Sequence, residues 1–166
     1  MDALSQTPLT MATTKAGLTA GTTTTITTAN TTQYCIKGLA YSKAGATNAA
    51  TPTTDATTGA AFVAVPASNG CAFVVGLDSS GAFKVSQGPL YTLSGEASGA
   101  NTTTLLGAMQ LPIVPDTVCP IGYIVVEVGA SGSSWTFGSS NLAGPPSNVN
   151  IAYTDVFTLP GRPIAA

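Results

Sequence analysis

Apolar and polar residues alternate along this chain in short runs, and the strongest run lies within residues 112–138, PIVPDTVCPIGYIVVEVGASGSSWTFG, which also hold the only tryptophan. Residues 122–128 read as a β-strand, rich in β-branched side chains and bounded by Pro120 and Gly122 before it and Gly129 after it. Side chains alternate across a sheet, so Ile124, Val126 and Val128 share one face and Tyr123, Val125 and Glu127 the other. The first face is assigned to the core. The second, apolar but carrying a carboxylate, suits a half-wet surface or one covered by another subunit. The small residues 130–134 predict a turn, and Trp135 to Gly138 a returning strand that completes a hairpin.

The same pattern predicts further strands along the chain. Residues 33–41 read as one strand with Tyr34, Ile36 and Ala40 on a face, and residues 61–65 as another, closed by Pro66. Residues 72–86 read as a hairpin, with Phe73, Val75 and Leu77 on the outward strand and Phe83 and Val85 on the return. Between them Asp78-Ser79-Ser80-Gly81 has turn chemistry, because Asp accepts from turn amides and Gly supplies a positive φ. Residues 89–93 and 149–157 complete the set. Residues 42–59 and 94–104 read as loops, and 105–111 as at most one helical turn, because Gly107 and Pro112 stop a longer helix. Residues 22–32 are Thr-rich and favour strand over helix, without the regular Thr-x-Thr ladder that ice or sugar binding would use. About eight or nine short strands and no convincing helix argue an all-β fold, an antiparallel β-sandwich or barrel with a jelly roll among the options. The expected organisation is an extended arm at residues 1–20, one β domain at 21–157 and a tail at 158–166.

Composition changes this picture in one respect. The chain has 166 residues, enough for one domain with a real core, but charged residues are only 7% of it, against about 25% in ordinary globular proteins. A folded monomer of this size exposes roughly 7,500 Å², which twelve charged side chains cannot cover. The surface must be mostly Thr, Ser, Ala, Gly and Asn, as in a neutral secreted domain or, the reading preferred here, a subunit of an extensive assembly. The net charge of −2 and the scatter of Lys15, Lys37, Lys43, Lys84 and Arg162 give no footing for nucleic acid. No apolar run is long enough for a membrane helix. The first residues lack the continuous apolar stretch of an export signal, so synthesis in the cytoplasm without export is expected, with the matches Asn30-Thr-Thr and Asn101-Thr-Thr as chance occurrences.

Candidate chemistry is sparse. There is no histidine, and Cys35, Cys71 and Cys119 form no CxxC pair, so a zinc site or a histidine-activated nucleophile is not expected and the cysteines read as reduced core thiols. Phosphate-binding and calcium-loop motifs are missing as well, and no cofactor is expected. Glu127 and Asp155 are the only acids inside predicted strands. On neighbouring strands they would make a paired-carboxylate site of the glycosidase kind. The favoured reading instead faces them outward or into an interface, and no enzymatic activity is expected.

Several segments carry a resemblance: Tyr34-Cys-Ile-Lys-Gly-Leu-Ala-Tyr41, Leu111-Pro-Ile-Val-Pro-Asp116, Cys119-Pro-Ile-Gly-Tyr-Ile-Val-Val-Glu-Val128, Trp135-Thr-Phe-Gly138 and Asp155-Val-Phe-Thr-Leu-Pro160. In these patches, from about residue 34 onward, the chain resembles small virion proteins of tailed bacteriophages, and among them head decoration or cement proteins. The resemblance implies a β-rich subunit on the capsid exterior, trimeric or dimeric, whose partners are the major capsid protein and copies of itself, with no nucleic acid or membrane. It brings no catalytic residues. On this reading the arm and tail, with Leu4, Leu9, Lys15 and Arg162, are expected to touch the capsid, and Tyr123, Val125 and Glu127 to serve self-association. The alternative is a head-fibre or tail-fibre module that binds a host-surface carbohydrate, although the loops at 42–59 and 94–104 lack the aromatic clusters that would favour it.

Overall fold

In the computed structural model, which describes residues 9–95, 104–105 and 109–160, the chain is all-β and has no helix among those residues. The strands are β1 (Met11–Ala12), β2 (Leu18–Ala20), β3 (Ile26–Thr28), β4 (Thr32–Ile36), β5 (Leu39–Lys43), β6 (Ala46–Ala49), β7 (Asn69–Leu77), β8 (Phe83–Gln87), β9 (Tyr91–Ser94), β10 (Thr104–Leu105), β11 (Cys119–Val128) and β12 (Val149–Asp155). They form three antiparallel sheets, none closed into a barrel, and a sandwich-like arrangement fits them.

The largest sheet runs β10-β9-β7-β11-β12, with β8 also on β7. β7 pairs with β11 on one edge, and on the other with β8 over Phe73–Leu77 and with β9 at Asn69 and Gly70. β8 and β9 thus behave as one strand interrupted at Gly88-Pro89-Leu90, where Pro89 has no N–H to give the ladder. β11 lies inside the sheet, as its near-continuous apolar sequence requires. Pro120 is accommodated by a register shift between Pro120 and Gly122.

One core joins the sheets. Phe73, Val75, Leu77, Ile124, Val126 and Val128 of the large sheet pack against Ala12, Leu18, Ile26, Tyr34 and Ile36 of the two smaller ones, β1-β4-β5 and β2-β3-β6. Each fully buried side chain of this size contributes about 1.5–3 kcal/mol. The middle of the core is aromatic: Phe73 and Phe137 stack on each other, and each meets both Phe62 and Trp135 edge-on, at centroid distances of 5.1–6.0 Å. The Trp135 indole N–H is satisfied by the Asn141 carbonyl at 3.1 Å.

The structure corrects several expected elements. The predicted strand at 33–41 is the hairpin β4–β5, turned at Lys37 and Gly38 with φ of 50° and 80°. Two consecutive positive φ angles make the two-residue turn whose twist suits a hairpin, and Lys-Gly is a weaker signal for it than Asn-Gly. Residues 61–65 form no strand; they are tied by single bridges from Ala61 to Thr54 and from Val65 to Trp135. Trp135 to Gly138 therefore does not return along β11, whose partners are β7 and β12, but fills the core between layers. The predicted loop at 42–59 contains β6, paired with β3. The expected arm is not free over its second half: β1 pairs with β4 and β2 with β3, and Ala12, Ala16 and Leu18 are buried. Short Ala-Thr runs leave too little apolar period to announce such strands.

The Asp78 turn forms as expected. The Asp78 Oδ1 atom accepts from the Ser80 amide (2.9 Å), the Ser80 hydroxyl (2.6 Å) and the Ala82 amide (3.0 Å), with Gly81 at φ 78°. The Tyr34 hydroxyl donates to the Asp78 carbonyl at 2.8 Å and ties the β1-β4-β5 sheet to this turn.

Candidate assembly surface

The second face of β11 is mostly covered by the chain itself. Tyr123 is only 2% exposed, while Val125 and Glu127 are half-buried. Of the three residues expected to serve self-association, Val125 and Glu127 keep part of their surface accessible within one chain and Tyr123 does not. Tyr91, Gly70, Glu127 and Asn150 stand in one row across β9, β7, β11 and β12. Gly70 has no side chain, so the Tyr91 ring lies directly over it; a Cβ there would collide with the ring. Burial, and then the negative charge of Glu127, push the Tyr91 phenol pKa upward. At the other end of the face, residues 156–158 and Pro160 lie with Thr154 and Asp155 beside Tyr123.

Glu127 and Asp155 do sit on neighbouring strands, but at opposite ends of the ladder. Glu127 faces Asn150 and Asp155 faces Gly122. Five residues of strand separate them, roughly 17 Å at the usual rise, beyond the spacing at which two carboxylates share a glycosidic bond. The Asp155 Oδ1 atom accepts from the Leu18 amide at 3.0 Å. Asp55, the most buried acid among the described residues, is similarly committed: its oxygens accept from the amides of Thr57 (2.6 Å), Thr58 (3.0 Å) and Gln87 (2.8 Å). Burial pushes the thiols of Cys71 and Cys119 up to about 12, so both are protonated and unreactive near neutral pH. Among the described residues no group of three or more His, Cys, Asp or Glu is placed to hold a metal ion, and no helix is long and apolar enough to cross a membrane.

What the surface does offer is large apolar side chains with little charge around them. Among the described residues Ile113 (83%), Leu39 (64%), Val63 (63%) and Leu9 (55%) are the most exposed large apolar side chains, followed by Phe157 and Leu90. Four of them gather in two places. At the first, the Gly38 amide donates to the Leu9 carbonyl at 2.9 Å, bringing Leu9 to the β4–β5 hairpin tip that carries Leu39. Lys37 of this tip reaches Asp116 at 2.7 Å, an exposed pair that contributes little to stability but marks where the 112–116 segment runs. At the second, Val63 and Leu90 line a cleft of about 430 Å³ with Ala60, Ala61 and Pro89. The Gln87 amide clamps Val63 by two 2.8 Å bonds, to its N–H and its carbonyl, so Val63 is held outward by the fold.

Of the expected contact residues, Leu9 and Lys15 are exposed and Leu9 belongs to the first apolar cluster. Leu4 and Arg162 lie outside the described residues. Leu39, Val63, Leu90 and Ile113 were not singled out from sequence. A signal existed for Ile113, because Pro112 and Pro115 on either side keep it out of any ladder. No family model, no curated protein and no solved structure matches this chain.

Proposed function

We infer that this chain is a structural virion subunit, a head decoration or cement protein that binds the outside of a phage capsid lattice and stabilises it without catalysis. The observation that carries the reading is a charge-poor surface from which Leu9, Leu39, Val63 and Ile113 project, each more than half exposed. Isolated exposed apolar residues are ordinary, but clusters of them on a surface with so few charges mark a face meant to be covered. The resemblance of its short motifs to decoration proteins supplies the identity of what covers it. The major capsid protein is the partner, and the capsid exterior is the location.

The mechanism needs no moving part. A subunit that binds only the mature lattice lowers the free energy of that lattice by mass action, as any native-state ligand does. Repeated sites and self-association multiply the effect through avidity. The experiment is co-sedimentation of the purified chain with capsids lacking it, beside Leu39→Ser and Val63→Ser variants. Saturable binding of the parent, weakened in the variants, supports the reading. No binding by the parent, together with retention on a glycan surface, would replace it with the fibre reading.

A further inference from the structure

We propose that the outer edge of β12 pairs with β12 of a second copy, antiparallel and centred on Ala152, so that two large sheets join into one. The phase of the β11–β12 ladder decides which groups are available. The Gly129 amide donates to the Asn148 carbonyl at 2.8 Å and the Val156 amide to the Ile121 carbonyl at 3.0 Å. Bonded pairs recur every second residue in an antiparallel ladder, so Asn150, Ala152 and Thr154 bond inward to β11. The N–H and C=O groups of Ile151 and Tyr153 then point away from the sheet. Among the described residues no strand is hydrogen-bonded to that edge of β12, and β2 meets the strand through the Leu18 amide on the Asp155 side chain.

Natural sheet edges are usually protected by lysine, proline, a bulge or brevity. β12 is seven residues long, Val-Asn-Ile-Ala-Tyr-Thr-Asp. It contains no lysine or proline, and its register with β11 is unbroken from Gly122↔Asp155 to Val128↔Val149. An unprotected edge of this length is a template for another strand.

A second copy is the occupant that the side chains of this strand accept without a clash of charge. Pairing about a twofold axis at Ala152 sets Ile151 opposite Tyr153 and Asn150 opposite Thr154 in both directions. The outward backbone groups of Ile151 and Tyr153 form two bonded pairs with their counterparts. On one face an amide meets a hydroxyl and the small Ala152 meets itself; on the other, two half-buried apolar residues at the rim of the core cover each other. The strand's only charge, Asp155, falls opposite Val149, so no like charges meet. A foreign strand would not require this self-complementarity.

The pairing stands without the capsid reading, and its test uses the isolated chain. In a dilution series by sedimentation velocity, the chain is expected at twice its 16.4 kDa mass, with Ala152→Lys monomeric because two ammonium groups then oppose each other on the axis. Directly opposed residues of a non-bonded pair have Cα atoms about 4.5 Å apart, within disulfide range. Ala152→Cys treated with diamide, which takes up the two protons and two electrons of the thiol pair, is therefore expected to give a reducible covalent dimer, while the parent and Thr154→Cys do not. A parent that stays monomeric at every concentration, a dimer unaffected by Ala152→Lys, or an Ala152→Cys chain that fails to cross-link would each overturn the proposal.

Discussion

Phe137→Ala tests how the irregular middle of this protein is held. Residues 61–65 and 135–137 are joined to each other by a single bridge, Val65 to Trp135, so little of their order comes from a ladder. Phe137 has ring neighbours at 5.1 Å (Phe62), 5.1 Å (Phe73) and 5.9 Å (Trp135), and is 2% exposed. Each aromatic pair is worth about 0.5–1.5 kcal/mol beyond burial, and truncating a buried Phe to Ala costs about 3–5 kcal/mol in all. Against a typical domain stability of about 5–15 kcal/mol, roughly a fifth or more of the total is at stake. The single tryptophan lies in this cluster, so urea unfolding followed by its emission reports the change directly, as a lower midpoint with an unchanged slope. Ile113→Ala, at a position 83% exposed, should shift stability by no more than about 0.5 kcal/mol. If Phe137→Ala costs no more than Ile113→Ala, the aromatic cluster does not hold the segment and the account of the core fails.

Three further predictions concern the turn and the thiols. Gly81→Val forces a β-branched residue to φ 78° and should cost about 1–2 kcal/mol, read as a lower melting temperature; an unchanged one would remove the turn from the account. Partial burial raises the Asp78 pKa, but hydrogen bonds from Ser80 and Ala82 and the nearby Lys84 outweigh it and the net shift is downward. A carboxylate with a lowered folded-state pKa contributes stability that is present above its unfolded value near 3.9 and is lost as pH falls through the folded value. The acid limb of the stability profile, below about pH 4, should therefore flatten in Asp78→Asn; an identical limb would contradict the bonding described. Cys71 and Cys119 should resist a thiol-disulfide reagent at neutral pH until urea unfolds the chain, and titration of both thiols in the native protein would show that they are not buried.

Much of the large sheet was legible because its residues obey one rule at a time. In β7 and β11 long apolar runs between Gly and Pro announced buried strands, and Asp78-Ser79-Ser80-Gly81 announced the turn after β7. The smaller sheets were legible only in part: residues 22–32 and 33–41 read as strand and hold β3, β4 and β5, but β1, β2 and β6 were missed because Ala12, Leu18 and Ala46 stand in short Ala-Thr runs with little apolar contrast, and their pairing is decided by distant partners. Trp135 misled for a related reason: its size marks it as core, but nothing local says that it bridges to Val65 and not to β11. The candidate surface was half legible. Low charge announced a surface poor in charged side chains, but Tyr123 and Glu127 were assigned to an accessible face by alternation alone. Alternation cannot see that Tyr91 lies across Gly70 on that face, whereas the exposure of Leu39 follows only once the Lys37-Gly38 turn is known.

The central claim is that this chain covers a capsid, and its copy number in purified particles from the cells that make it measures this most directly. Quantitative mass spectrometry against the major capsid protein should find it in a fixed, lattice-scale ratio, hundreds of copies per particle, removed together with particle stability when the gene is deleted. Absence from the particle, or a few dozen copies confined to the tail, would contradict the claim.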